Sequence, residues 1–157
     1  KDLAIFTINS ERYCFNERGE MQTGLQSLKQ ADGSFASYYF GDDGVMRTGK
    51  QTIYNDDLEE NQIWYFQTKG SLKGQGYHGE RDNQVYVNGL LKKADPELRY
   101  EPVSTGEKRY LVNTSGTIQK ATSSSSSASR PELGKGFKDI KDSNDTVWTV
   151  DTSGIIQ

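Results

Sequence analysis

The sequence predicts an all-β fold: a solenoid of stacked β-hairpin repeats joined by variable connectors. Three observations carry that expectation. One short phrase returns about six times along the 157 residues. Each return has an aromatic and β-branched stretch, a polar turn closed by glycine, and a second short stretch, which together read as a hairpin. Apolar residues are also too few for one large core: they make up 32% of the chain, with a mean hydropathy of −0.82. The nine Tyr and six Phe recur along the whole length, so burial must come largely from aromatic rings. Disorder would pair few aromatics with a large net charge, whereas the formal charge here is −3.

The first copy is Arg-Tyr-Cys-Phe-Asn-Glu-Arg-Gly-Glu-Met-Gln-Thr-Gly, residues 12–24, and the second is Ser-Tyr-Tyr-Phe-Gly-Asp-Asp-Gly-Val-Met-Arg-Thr-Gly, residues 37–49. A third runs over 63–74, a contracted fourth over 85–92, a fifth over 109–119, and the last over 147–157. Gly19, Gly44, Gly70, Gly116 and Gly154 close four-residue turns that call for positive φ. In the fourth copy Asn88-Gly89 is the preferred two-residue type I′ signal. Two residues after each glycine stands an apolar residue (Met21, Met46, Leu72, Leu91, Ile118, Ile156), expected on the buried face of the second strand. A lone hairpin is not stable in water, so neighbours must cover one another, and the spacing of about 25 residues between the first closing glycines suits such a stack.

The segments between copies (25–36, 50–62, 75–84 and 93–108) read as turns or loops. The Ser run 123–127, extended by Ala128 and Ser129, reads as a flexible linker that cannot pack. The expected organisation is therefore a repeat array over 1–122, a Ser-rich linker or loop over 123–131, and a final hairpin over 132–157.

Several function classes are excluded at this level. A single cysteine, Cys14, allows no intrachain disulfide and no multi-cysteine metal site, and no cofactor motif is present. No basic stripe exists to neutralise phosphates, so nucleic acid is not an expected partner. No apolar run suits membrane insertion, and residues 1–10 lack the core of a signal peptide, so the chain reads as a mature fragment.

The phrase from Tyr38 to Gly49 resembles the cell-wall-binding repeat family, also called choline-binding or glucan-binding repeats. The family pattern is roughly Trp-Tyr-Tyr-Phe, a polar turn with Gly, a Met, and Thr-Gly-Trp, and the resemblance covers most of 12–119 plus 147–157. It implies a β-hairpin solenoid secreted by a Gram-positive bacterium, attached to a cell-wall polymer or glucan outside the cell, and not an enzyme. The departures bear on the ligand. Leu25, Lys50 and Gln75 stand where the family places the Trp after Thr-Gly, and Arg12, Ser37, Ile63, Arg109 and Val147 replace the opening Trp. A quaternary ammonium is held by cation–π attraction in a ring cage, so a choline-binding module is the weaker alternative. A structural spacer or protein-interaction repeat with decayed pockets is another.

Flat rings with polar tips suit the apolar face of a pyranose, which makes Tyr13, Tyr38, Tyr39, Trp64 and Tyr65 candidate ligand-binding residues against an alternative as core between hairpins. Strand alternation sends adjacent rings to opposite faces. Tyr77, in Gly-Gln-Gly-Tyr-His-Gly, falls in a connector and is the leading candidate. His78, the only histidine, has no nucleophile or orienting carboxylate beside it in sequence and reads as a loop residue. Cys14 reads as a small buried hydrophobe. The acidic run 56–60 lacks the alternating spacing of a calcium loop, and Asp42-Asp43 reads as a polar turn.

Overall fold

In the computed structural model, which describes residues 2–157, the chain is all-β and built of small hairpin sheets. Strands β1 (Ala4–Ile8) and β2 (Glu11–Phe15) join through Asn9 and Ser10, both at positive φ as a type I′ turn demands. Then come β3 (Met21–Gln22), β4 (Gly24–Lys29), β5 (Phe35–Phe40), β6 (Met46–Arg47), β7 (Gly49–Asn55) and β8 (Glu60–Phe66). The remaining strands are β9 (Gly79–Arg81), β10 (Gln84–Val87), β11 (Leu90–Leu91), β12 (Tyr100–Ser104), β13 (Arg109–Asn113), β14 (Lys138–Lys141) and β15 (Val147–Val150).

The first two expected connectors, 25–36 and 50–62, are mostly strand. β4 pairs along all of β5, from Gly24 opposite Phe40 to Lys29 opposite Phe35. β7 pairs along all of β8, from Gly49 opposite Phe66 to Asn55 opposite Glu60. Gln, Ser and Lys have poor strand propensity, so Leu25–Lys29 looks like loop in isolation; the aromatic strand beside it supplies the pairing and the apolar surface that hold it extended. The glycine-closed return strands β3 and β6 are only two residues long.

The repeated turn has one construction. Asn16, Asn113, Asp142 and Asp151 each accept two backbone N–H bonds on Oδ1, from the residues two and four ahead, at 2.9–3.0 Å. The carbonyl of the same residue accepts the N–H of the residue three ahead, which is Gly19, Gly116 or Gly154 in three of the four turns. The fourth uses Asp145, at φ 64°, a conformation that Asp tolerates better than most side chains.

Two compact units are present: Lys1–His78 with Val87–Leu90, and Gly79–Tyr86 with Leu91–Gln157. In the first, Cys14, Leu28 and Phe40 form a core joined by Leu3, Ile5, Tyr38 and Met46. Successive copies meet in a fixed register there. Tyr38 and Phe40, second and fourth in their aromatic strand, lie with Cys14, third in the preceding one. Phe66 stacks on Tyr39 in the same relation, with ring centroids 6.1 Å apart. The glycines admit the same closeness: a Cβ at Gly44 would collide with the Met21 sulfur, and one at Gly74 with that of Met46.

In the second unit the core is Leu111, Ile140 and Val150, with Tyr100, Trp148 and Ile156 against it. Leu91 lies against Gly116 and Ile118 against Gly154. The apolar residues after the glycines are thus not uniformly buried: Leu91 and Ile118 are, while Met21 is 45% and Leu72 49% exposed. Met21 caps a glycine instead of entering a core, and Leu72 sits in a turn.

The end of the Ser run does pack. Ser127 is 3% exposed and donates to Asp139 at 2.6 Å, and Ser126 bridges to Lys135. Asp139 also accepts from Thr149 Oγ1, Ser129 Oγ and the Ser129 amide, each at 2.7 Å. Low apolar content hides this, because the anchor is a single carboxylate ten residues or more away.

Candidate functional site

Alternation along β8 separates two sets of rings. Gln62, Trp64 and Phe66 share one face; Asn61, Ile63 and Tyr65 share the other. On the first, Trp64 is parallel to Phe66 at 6.1 Å and 3°, and Phe66 in turn stacks on Tyr39 at 17°. Tyr39 and Trp64, both half-buried, thus each stack on Phe66, which is fully buried. The Trp64 indole N–H is buried and has no hydrogen-bond partner among the described residues.

On the second face, Tyr65 and Tyr77 meet edge to face, with centroids 6.1 Å apart and planes at 84°. Both are half-buried. Tyr77 is held where a loop residue would not be: its amide donates to the Tyr65 carbonyl at 2.9 Å and its carbonyl accepts from Gly89 at 2.7 Å. Gly76 precedes it with an amide bond to the Ser37 carbonyl, and a Cβ there would strike the Asn88 backbone. Only glycine lets the chain pass so close. The expected connector is thus an ordered segment that brings Tyr77 beside Tyr65.

His78 follows, exposed, with Nδ1 accepting the Asn88 amide at 3.1 Å. Asn88 in turn ties down the second copy: its Oδ1 accepts the Ser37 amide and its Nδ2 donates to the Phe35 carbonyl. Lys50 lies directly opposite Tyr65 in the β7–β8 ladder, exposed and on the same face. The corner is thus two perpendicular phenols, with Lys50 opposite one of them in the ladder and His78 next in the chain after the other.

The other candidates lie apart from it. Tyr38 belongs to the Cys14 core; burial pushes its phenol up, while hydrogen bonds from Gln30 and Gln75 and the charge of Arg12 pull it down. Tyr13 stands opposite Phe6 on the outer face of β1–β2, where Phe6 and Phe15 stack at 5.9 Å. Ala4, Phe6, Ile8 and Phe15, with Asp2, Asn16, Glu17 and Gly19, line an open concavity of about 680 Å³. Sequence reasoning passed over Phe6 and Ile8, although Ala4-Ile5-Phe6-Thr7-Ile8 ahead of Asn9-Ser10 is a strand-and-turn signal. Cys14 is fully buried, and burial raises its thiol pKa. The acidic run 56–60 is exposed, and no group of three or more metal-ligating side chains converges among the described residues. Among these residues, no helix is long and apolar enough to cross a membrane.

No family model matches the chain. The large tegument protein deneddylase of Murid herpesvirus 1 (strain K181) is 26% identical over 106 residues, 68% of this chain and 5% of that protein. Alternansucrase in complex with isomaltononaose is similar over 99% of this chain and 10% of its own, at 16% identity and a TM-score of 0.48. CbpJ from Streptococcus pneumoniae TIGR4 is similar over 98% of this chain and 47% of its own, at 18% identity and a TM-score of 0.42. The choline-binding domain of CbpL from Streptococcus pneumoniae is similar over 98% and 96%, at 13% identity and a TM-score of 0.37. The chain thus spans a small part of the viral protein and of the alternansucrase, and about half of CbpJ.

Proposed function

We propose that this chain is a non-catalytic attachment module that holds a cell-wall or extracellular polysaccharide outside a Gram-positive cell, its hairpins stacking serially within each unit as a solenoid does. The observation that carries the reading is the Tyr65–Tyr77 corner. Its rings are perpendicular and only half-buried, and the Tyr77 backbone is bonded on both sides, to Tyr65 and to Gly89. One ring can lie on a pyranose face while the other closes its edge, and Lys50, opposite Tyr65 and on its face, can meet hydroxyls. Lys50 opposes choline: its ammonium would repel a quaternary cation on the same face. Individual sites of this kind are weak, and retention on a polymer comes from several of them engaging one strand.

The spacer reading draws on the Tyr39–Phe66–Trp64 stack, which sets two candidate rings against a buried one. The two readings part on one experiment. Retention on purified cell walls and on α-glucans is compared for the wild type, Tyr77→Ala and Trp64→Ala, with melting curves alongside. Loss of retention in Tyr77→Ala at an unchanged melting temperature supports the attachment module. Failure of the wild type to bind any polymer above an albumin control overturns it.

A further inference from the structure

The outer face of the β7–β8 hairpin continues from the Tyr65–Tyr77 corner. By its register, Lys50 opposite Tyr65, Thr52 opposite Ile63 and Tyr54 opposite Asn61 share one face, and Gln51, Ile53, Gln62 and Trp64 share the other. Burial along β7 alternates in step: Lys50, Thr52 and Tyr54 are exposed, Tyr54 by 56%, while Gln51, Ile53 and Asn55 are half-buried. Repeats precede and follow this hairpin in the chain, so the face is open with its sequence neighbours in place.

The two faces use their polar groups differently. On the inner one, Gln51 donates to the Thr48 carbonyl at 2.8 Å and Asn55 to the Gln62 side chain at 3.4 Å. On the outer one, the Lys50, Thr52 and Asn61 side chains are exposed, and among the described residues none of them is bonded to the protein. They stand between two aromatic platforms. Tyr54 lies four residues along β7 from the Lys50–Tyr65 pair, about 13 Å at the rise of a strand. Ile63, half-buried, stands midway with Thr52 opposite. That span exceeds one pyranose. Rings at its two ends suit two sugar faces, and the ammonium, hydroxyl and amide between them suit sugar hydroxyls.

Charge narrows the ligand further. Asp56, Asp57, Glu59 and Glu60 follow Tyr54 around the hairpin tip, all exposed, and no salt bridge holds any of them among the described residues. They set a negative potential at the Tyr54 end over a Debye length of about 8–10 Å. A polymer carrying phosphate or carboxylate on every unit is repelled there.

We propose that Tyr54 is a second sugar platform, and that the β7–β8 face takes a neutral oligosaccharide of about three units or more, lying along the hairpin from the Tyr65–Tyr77 corner to Tyr54. This rests on the reading of that corner as a glycan site and adds to it a length, a course and a charge.

Calorimetric titration of the whole chain with sized neutral oligosaccharides cut from α-glucan and from cell wall, up to about six units, tests the proposal. Affinity should rise about tenfold or more between about two and about four units and then level off. Tyr54→Ala, a change at an exposed ring, should bring the longer oligosaccharides down to the affinity of the disaccharide, whereas Tyr77→Ala should weaken binding at every length. The wild type supplies a measurement that needs no variant: the Thr52 and Asn61 amide resonances should shift with a tetrasaccharide and stay in place with a disaccharide. Affinity independent of length overturns the subsite and leaves the corner standing. So does a rise with length that Tyr54→Ala leaves intact while the Thr52 and Asn61 resonances do not move. Tighter binding of an acidic oligosaccharide than of a neutral one of equal length overturns the proposal as well. No binding at any length, with no retention on the parent polymers, overturns the corner and the subsite together.

Discussion

Replacing Asp139 by Asn should release the Ser run from the last hairpin while leaving the chain's shape chemistry nearly unchanged. The carboxylate accepts four bonds: Ser127 Oγ and Thr149 Oγ1 on Oδ1, and the Ser129 amide and Oγ on Oδ2, all at 2.6–2.7 Å. An Asn can keep the first pair on its carbonyl. Its NH2 then faces the Ser129 amide, donor against donor; the Ser129 hydroxyl can rotate to accept, but the amide cannot. The loss is one charge-assisted backbone bond together with the weakening of the other three, about 2–4 kcal/mol at neutral pH. For a chain of this size, that lowers the melting temperature by about 5–10 °C. Two readouts check it: the melting curve, and hydrogen exchange at Ser129, which should accelerate about tenfold or more. Asp145→Asn is the control, because it removes the same charge from the β14–β15 turn at a position whose positive φ Asn tolerates. Equal melting of the two variants, with Ser129 exchange unchanged, would refute the claim that this carboxylate anchors the Ser run.

Gly44→Ala should destabilise more than Gly19→Ala. Both positions have φ near 80°, which costs an L-residue about 1–2 kcal/mol, but only the Gly44 Cβ meets another side chain, that of Met21. Urea titration measures the difference, and Met21→Ala should shrink it. Asp151→Ala should cost about 1–2 kcal/mol by orphaning the Ser153 and Ile155 amides, with Asp151→Asn near neutral. Acid should weaken the second unit in a defined window. At Asp139, burial raises the pKa, but the bonds from Ser127, Ser129 and Thr149 outweigh it; at Asp142, the Trp148 indole and the Thr146 and Asn144 amides outweigh burial. Folded-state values held below the ordinary range mean stability that is present above about pH 4 and lost as pH falls below it, so melting should be flat from pH 7 to 5 and drop thereafter. Choline titrated to tens of millimolar should move Trp64 and Trp148 fluorescence no more than matched sodium chloride does.

The hairpins and their turns were legible because each is local. A glycine at positive φ, an Asn-Gly pair and an aromatic strand running into the turn are decided within about ten residues of chain. The Asx acceptor three residues before Gly19, Gly116 and Gly154 was equally visible and went unread. So did β1, whose alternation is plain once the start of the chain is searched for strands. The faces of paired rings followed from the two-residue period, which sends Tyr38 and Tyr39, or Trp64 and Tyr65, to opposite sides.

What tertiary structure alone decided is which neighbour each face would meet. Leu25–Lys29 carries no strong strand preference, and it is extended because an aromatic strand lies beside it. Tyr77 reaches Tyr65 only because the backbone at Gly76 passes against Asn88, a contact with no signature in the order of residues. The same holds for the Ser run: five serines specify polarity and flexibility, and a distant Asp139 ties down its end at Ser127 and, just beyond, Ser129. Periodicity and φ are properties of a short stretch and can be read from it, whereas a hydrogen-bond partner or a ring stack depends on where another stretch comes to rest, which only the folded chain determines.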